Sequence, residues 1–301
     1  MAVTDRSIGE ATTHQLSAGA ATSERFSDVI YDLRRNPITI IGLAIILTVA
    51  LAGLFAPLIA PYGPLEKDLL HTSEPPSAEF WLGTDPFGHD IFSRILYGAR
   101  LDLLIAILAV TASFIIGSVL GAIAGFTRGA IDETTMRGMD VLQAFPRFIF
   151  AMGIAFALGP GITTVIIATS VLNVPGYSRL MRSTIVSLKE RQFAMAAKAT
   201  GNSPTRVLFR HLIPNSLAPL FVMATLHCGW AILEAAGLSF IGLGVPVPTA
   251  EWGVMINIGL QDFLRGDWWA YTFPGVAIAI TVLGFNLLGD GLDDILDPRR
   301  K

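Results

Sequence analysis

The sequence predicts an all-α polytopic membrane protein with six transmembrane helices and both termini in the cytoplasm. Hydrophobic residues make up 52% of the 301-residue chain, charged residues only 15%, and the mean hydropathy is +0.58, which is too apolar for a soluble domain of this length. Six apolar runs of roughly bilayer-crossing length alternate with polar segments. The third observation is the placing of charge. With the amino terminus inside, Lys67, Arg94, Arg100 and Arg265 fall outside, Arg147 is left in the membrane, and every other Lys and Arg falls inside, as the positive-inside rule requires.

Residues 1–25 are polar, rich in Ala, Ser and Thr, and without apolar periodicity, so they read as a disordered cytoplasmic tail. The first run follows Arg34-Arg35-Asn36. Ile38 to Ala60 is 23 residues, about 34 Å of helix against a hydrocarbon core of about 30 Å, and reads as an uncleaved span rather than a signal peptide. Between Tyr62 and Arg100 the chain is polar. Asp85-Pro86 reads there as a helix start, with Ile91, Phe92, Ile95 and Leu96 on one face and Asp90–Arg94 as an i,i+4 pair, which predicts a surface helix near the outer leaflet.

The second span, Leu103 to Phe126, carries Gly117, Gly121 and Gly125 four residues apart, a face that another helix can approach closely. A charged turn is expected from Thr127 to Gly138. The third span runs from about Met139 to Leu158, and the fourth from about Ile162 to Met181, bent near Asn173, Pro175 and Gly176. After a long polar segment come the fifth span, about Leu217 to Ile241, a loop from Gly242 to Tyr271 whose tryptophans suit the interface, and the sixth, about Thr272 to Leu292. Asp140, Arg147 and Asp290 lie near span ends, where snorkelling or helix pairing accounts for them. Glu234 is deeper, and His227, seven residues earlier on nearly the same face, makes a polar stripe conceivable, so these two are the candidate translocation-path residues.

Other chemistry is hard to place. A net charge of −3 without a basic block argues against nucleic acid. Cys228 alone excludes an intrachain disulfide and reads as packing, and His14, His71, His89, His211 and His227 have no metal-ligand spacing. No phosphate-binding loop and no catalytic set is visible, so no catalytic residue and no cofactor is expected, and ATP chemistry would belong to another chain.

The polar segment from Arg191 to Pro214 exceeds what a connection between spans needs. Arg191 to Thr200 has good helix formers, Gly201 stands where a left-handed residue ends a helix, and Asn202 or Ser203 with Pro204 starts a second helix that is expected to stop before Pro214. The small residues Ala194, Ala196, Ala197 and Ala199 would let another protein's backbone approach, while Lys198, Arg206 and Arg210 offer charge.

These residues carry a resemblance. Met195-Ala196-Ala197, Gly201 and His211-Leu212-Ile213-Pro214 are similar to the EAA loop of ATP-binding-cassette (ABC) importer permeases, E-A-A-x3-G-x9-I-x-L-P, with Met195 in place of Glu and His211 in place of Ile. The salt bridge that such a Glu makes with an ATPase subunit therefore has no counterpart here. Three further stretches resemble permeases of oligopeptide, dipeptide and nickel importers. They are RRNPITIIGLAI, the FWLGTDPFGHDIFSRILYGARLD segment with His89 for the usual Arg and Asp102 for the usual Ser, and AGLSFIGLGVPVPTAEWG; the ending NLLGDGLDDILDPRRK is similar too.

The resemblance implies a type I ABC importer permease fold. Its amino-terminal segment would be 26–100 and its transmembrane domain 101–301, with a coupling element at 191–214. Phe193, Met195, Ala196, Ala197, Lys198, Gly201, His211 and Pro214 would engage an ATPase. It also implies a bacterial inner-membrane location, a second homologous permease as heterodimer partner, two ATPase subunits, an external solute-binding protein, surrounding lipid, and import of peptides or a similar solute. The competing class is an ATP-independent channel or secondary transporter, for which coupling ions on membrane carboxylates and inverted repeats are expected. No repeat is evident in the chain.

Overall fold

The computed structural model describes residues 36–261 and 263–296, and the tail expected over 1–25 and the last residues, 297–301, lie outside them. Among the described residues the regular structure is helical, apart from one isolated bridge between Thr84 and Asp90. Helix α1 is Pro37–Leu54. Asn36 caps it by accepting from the Ile38 N–H at 3.1 Å, and Pro37 fills the first-turn position where a missing N–H costs nothing. The run expected to reach Ala60 as one helix breaks at Phe55 and resumes as the short α2, Ala56–Ile59, because Pro57 has no N–H for the carbonyl of Gly53.

Helix α3, Ile91–Thr127, corrects the expectation of a separate surface helix. The surface segment and the second span are one 37-residue helix, about 55 Å long, so several turns stand beyond a 30 Å core. It starts at Asp90 rather than Asp85, and the Asp90–Arg94 pair does not form, since the Asp90 carboxylate accepts from the Ser93 N–H at 2.7 Å. Asp85 instead accepts from the N–H groups of Phe87 and His89 and binds His89 Nδ1 at 2.7 Å. Arg94, fully buried, donates to the carbonyls of Pro64, Pro248 and Thr249, each at 3.1 Å. One side chain thereby ties two loops to the first turn of α3.

The charged turn after α3 is helical: α4, Ala130–Gln143, meets α5, Arg147–Leu158, at a bend of 89°. Pro146, with ψ 126°, forbids a continuous third span. Helix α6, Ile162–Leu188, is longer than expected and runs unbroken through Pro175. After α7, Gln192–Ala199, comes α8, Pro204–Phe240, which contains a π-helical segment, Val207–Leu212. The helix expected to stop before Pro214 thus continues as the fifth span. The wider π turn lets Ile213 donate to Leu208, and Asn215 Nδ2 takes the His211 carbonyl at 2.7 Å, where Pro214 would have disturbed regular α pairing.

The loop from Gly242 to Tyr271 folds into α9, Trp252–Leu260, and a 3-10 turn, Phe263–Arg265, before α10, Trp269–Leu296. Trp252 and Trp269, expected at the membrane interface, are buried and donate to the carbonyls of Ile95 and Thr84, leaving Trp268 exposed. Alanine and glycine let the bundle close. Cβ atoms added at Gly117 or Gly125 would stand 2.7 Å from the carbonyl oxygens of Val174 or Arg182, and one at Gly121 would strike Ser178, so the glycine face predicted in the second span is where α6 packs. Helix α1 leans on α10 at Gly42, Gly284 and Gly291 in the same way.

Among the described residues four helices, α1, α3, α8 and α10, are long and apolar enough to cross a bilayer, and the α4–α5 pair, bent by 89°, has the length and composition of a fifth only if its two halves are taken together as a broken span. Helix α6 is more polar. It packs against α3, α5 and α8 and buries Thr164, Thr169, Ser170, Asn173 and Ser178 among its apolar residues.

Candidate functional site

Two places in the bundle carry polar groups beyond what folding needs. The first is the elbow between α6 and α8. Helix α7 ends in a Schellman motif, in which Gly201 at φ +80° donates to Lys198 and the Asn202 N–H returns to Ala197 at 3.3 Å. Side chains reinforce it, with Asn202 Nδ2 on the Ala197 carbonyl at 2.9 Å and Thr200 Oγ1 on Ala196 and Ala197. Ser203 then caps α8 by accepting from the Arg206 N–H, and Pro204 opens it, as the sequence implies.

Ala194 and Ala197 are buried in the cluster that holds Val207, Leu208 and Leu212. The sequence offered these two alanines to another protein; the fold uses them to pin α7 onto α8, because an eight-residue helix needs a buried face to persist. Phe193, Met195, Ala196, Lys198 and Gly201 are exposed, as is Pro214 within α8, while His211 is half-buried in the π segment. Phe193, Met195 and Phe209 are large apolar side chains left exposed on the elbow.

The elbow end is cross-braced. Lys189 Nζ donates to the Gly125 carbonyl at 2.9 Å in the last turn of α3, and its partial burial, together with the neighbouring Arg128 and Lys198, holds its pKa below the usual lysine value. Arg128 pairs with Glu190 at 3.0 Å, Arg179 with Asp140 at 2.6 Å, and Arg182 with Asp132. The base of the elbow is therefore tied to the end of α3, and α6, which leads into it, is tied to α4.

The second place lies within the bundle. Arg147, at the first position of α5, donates through Nε to Glu234 Oε1 at 3.1 Å and through Nη2 to the same oxygen and to Asn173 Oδ1 at 3.0 Å. Glu234 is buried on α8, whereas the Arg147 side chain is 52% exposed. His227 lies edge-on to Tyr177, with ring centroids 5.0 Å apart. Two cavities of about 160 Å³ and 240 Å³ share Arg147 and Trp230 as walls; the first adds Asn173 and His227, the second Phe148, Leu233 and Glu234. The sequence marked His227 and Glu234 as a stripe, and the fold brings both to this neighbourhood. Asn173, placed as a helix-bending residue, joins them, and Arg147 proves to be a pairing partner rather than a snorkelling one. One signal was present, since Arg147 was the basic residue that the inside–outside division left in the membrane.

Helices of this length and apolarity, with open clefts beside a buried ion pair and a braced polar elbow, are the build of a multi-pass membrane protein. The model of the family "Binding-protein-dependent transport system inner membrane component" matches residues 117–301, and that of the "N-terminal TM domain of oligopeptide transport permease C" matches residues 25–76. The chain belongs to the family of binding-protein-dependent transport system inner membrane components, and it is a multi-pass inner-membrane protein.

Among its relatives, the dipeptide transport system permease protein of Alkalihalophilus pseudofirmus is 47% identical over 89% of this chain and 88% of that protein. The oligopeptide transport system permease protein of Bacillus subtilis is 36% identical over 94% of this chain and 95% of its own length. The probable D,D-dipeptide transport system permease protein of Escherichia coli is 39% identical over 90% and 91%. A solved inward-facing form of the MetNI methionine ABC transporter is similar in fold, with a TM-score of 0.51 and 18% identity, covering 68% of this chain and 97% of that one.

Proposed function

We propose that the chain is one of two permease subunits of an ABC importer for peptides, with six spans, both termini in the cytoplasm, and an elbow that docks an ATPase subunit. The relatives named as dipeptide and oligopeptide permeases support the solute class. The observation that carries the mechanism is the elbow itself. A rigidly capped helix, α7, presents Phe193, Met195, Ala196 and Lys198 to the outside while Lys189 and the Arg128–Glu190 pair tie its base to the bundle.

In this reading α6 counts as the remaining span, shielded from lipid by its neighbours, and the basic residues clustered at the elbow end mark the cytoplasmic face. Domain limits of 26–100 and 101–301 go with it, as do a solute-binding protein on the other face and ATP hydrolysis in two separate subunits. Closure of those subunits around ATP would push on α7 of each permease and swing the spans from inward-open to outward-open. A secondary transporter would need a membrane carboxylate for its coupling ion, and Glu234, the one that reading would turn to, is paired with Arg147.

The test is purification of the chain with its neighbours from native membrane, followed by an ATPase assay and peptide uptake after reconstitution. Co-purifying ATPase subunits, a second permease and vanadate-sensitive hydrolysis are expected. A stable complex that transports peptide without an ATPase would overturn the reading.

A further inference from the structure

We propose that Arg147, with Trp230 beside it and Asn173 behind it, is a subsite for a carboxylate group of the translocated solute. The inference rests on the permease reading and adds to it a chemical preference inside the path.

Arg147 offers five N–H donors. Nε and Nη2 are spent on Glu234 and Asn173, and the two donors on Nη1 have no partner among the described residues. The side chain is half exposed, yet it is held by helices whose other outward residues at this level, Phe148, Trp230 and Leu233, are apolar. A guanidinium in that position is costly against lipid and natural against water or an anion. Glu234 lowers the cost from behind. Its side chain is only 10% exposed against 52% for Arg147, so although Glu234 also walls the larger cavity, the guanidinium is the more accessible charge of the pair.

The same contacts fix geometry. Two donors on Glu234 and one on Asn173 lock the guanidinium plane, so the Nη1 edge is preorganised and need not be ordered when an anion arrives. Trp230 walls both cavities and is 57% exposed, giving an apolar surface beside the charge, the arrangement suited to a carboxylate attached to a carbon chain. The cavities, about 160 Å³ and 240 Å³, have room for a carboxylate with several carbons attached.

The test uses the assembled importer in membranes, with Trp230→Cys placed in a Cys228→Ser background. Its modification rates by 2-carboxyethyl and 2-hydroxyethyl methanethiosulfonate are compared, each corrected for its rate with free cysteine. The carboxylate reagent is expected to react about tenfold faster, the lower end of what a charged cleft does to encounter rates. In the double variant Arg147→Gln/Glu234→Gln, which removes both charges together and leaves no lone buried carboxylate, the ratio should fall to about one at unchanged complex yield. Equal rates with Arg147 in place, or no modification by either reagent because the position faces lipid or the second permease, would overturn the subsite. Failure of the permease reading would be seen separately, as uptake that proceeds without an ATPase.

Discussion

Ala196 and Ala197 are neighbours with opposite duties, and the difference decides how the elbow can be probed. Ala197 is 8% exposed against α8, so Ala197→Glu would bury an unpaired charge and is expected to remove the protein from the membrane, read as lost yield. Ala196 faces outward, and Ala196→Glu should leave yield intact while uptake falls and ATPase activity continues without it. Gly201 has open space around the position of a Cβ, so Gly201→Ala costs only its left-handed backbone, about 1–2 kcal/mol, measurable as weakened hydrogen-exchange protection of α7. The alternation of exposed and buried alanines was not legible in the sequence. Four small residues in eight look alike until the neighbour they pack on is known, and that neighbour was expected to end at Pro214.

At the scale of elements, helix type was readable and helix length was not. The glycine spacing in α3 announced a close approach, and the structure supplies α6 as the partner. Gly121→Val should wedge the two apart, at a cost of roughly 1–3 kcal/mol or more for an overpacked contact, and appear as reduced thermal stability of the purified complex. The boundaries failed at prolines, with Pro214 read as a stop, Pro175 as a bend and Pro146 as part of a continuous span. Pro214 is absorbed by a π turn and Pro175 by a buried helix, whereas Pro146 does break its span, and only the surrounding packing separates these cases.

Lys189 links elements to work. Lys189→Met removes the donor from the last turn of α3, worth about 0.3–1 kcal/mol, and should loosen the elbow so that uptake falls more than ATPase activity.

For the whole molecule, the sequence carried the class through composition, because that is a bulk property that needs no contacts. The internal polar cluster was half legible. His227 and Glu234 share a helix face, but Arg147 and Asn173 reach them from other helices, across 87 and 61 positions of chain from Glu234, and nothing local announces such a meeting. Arg94 is a similar case at the opposite end. Arg94→Met would strip the donors from three part-buried loop carbonyls, a loss of about 0.5–1.5 kcal/mol for each hydrogen bond, and protease cleavage between Tyr62 and Asp90 should accelerate while the elbow end stays intact.

The central claim is that α7 is where an ATPase subunit pushes. It is tested most directly by Met195→Cys in a Cys228→Ser background, cross-linked in native membranes with a short thiol reagent before and after ATP with vanadate. A cross-link to an ATPase subunit whose yield changes with the nucleotide is the predicted result. Cross-linking confined to lipid or to non-ATPase proteins, with uptake intact, would contradict it.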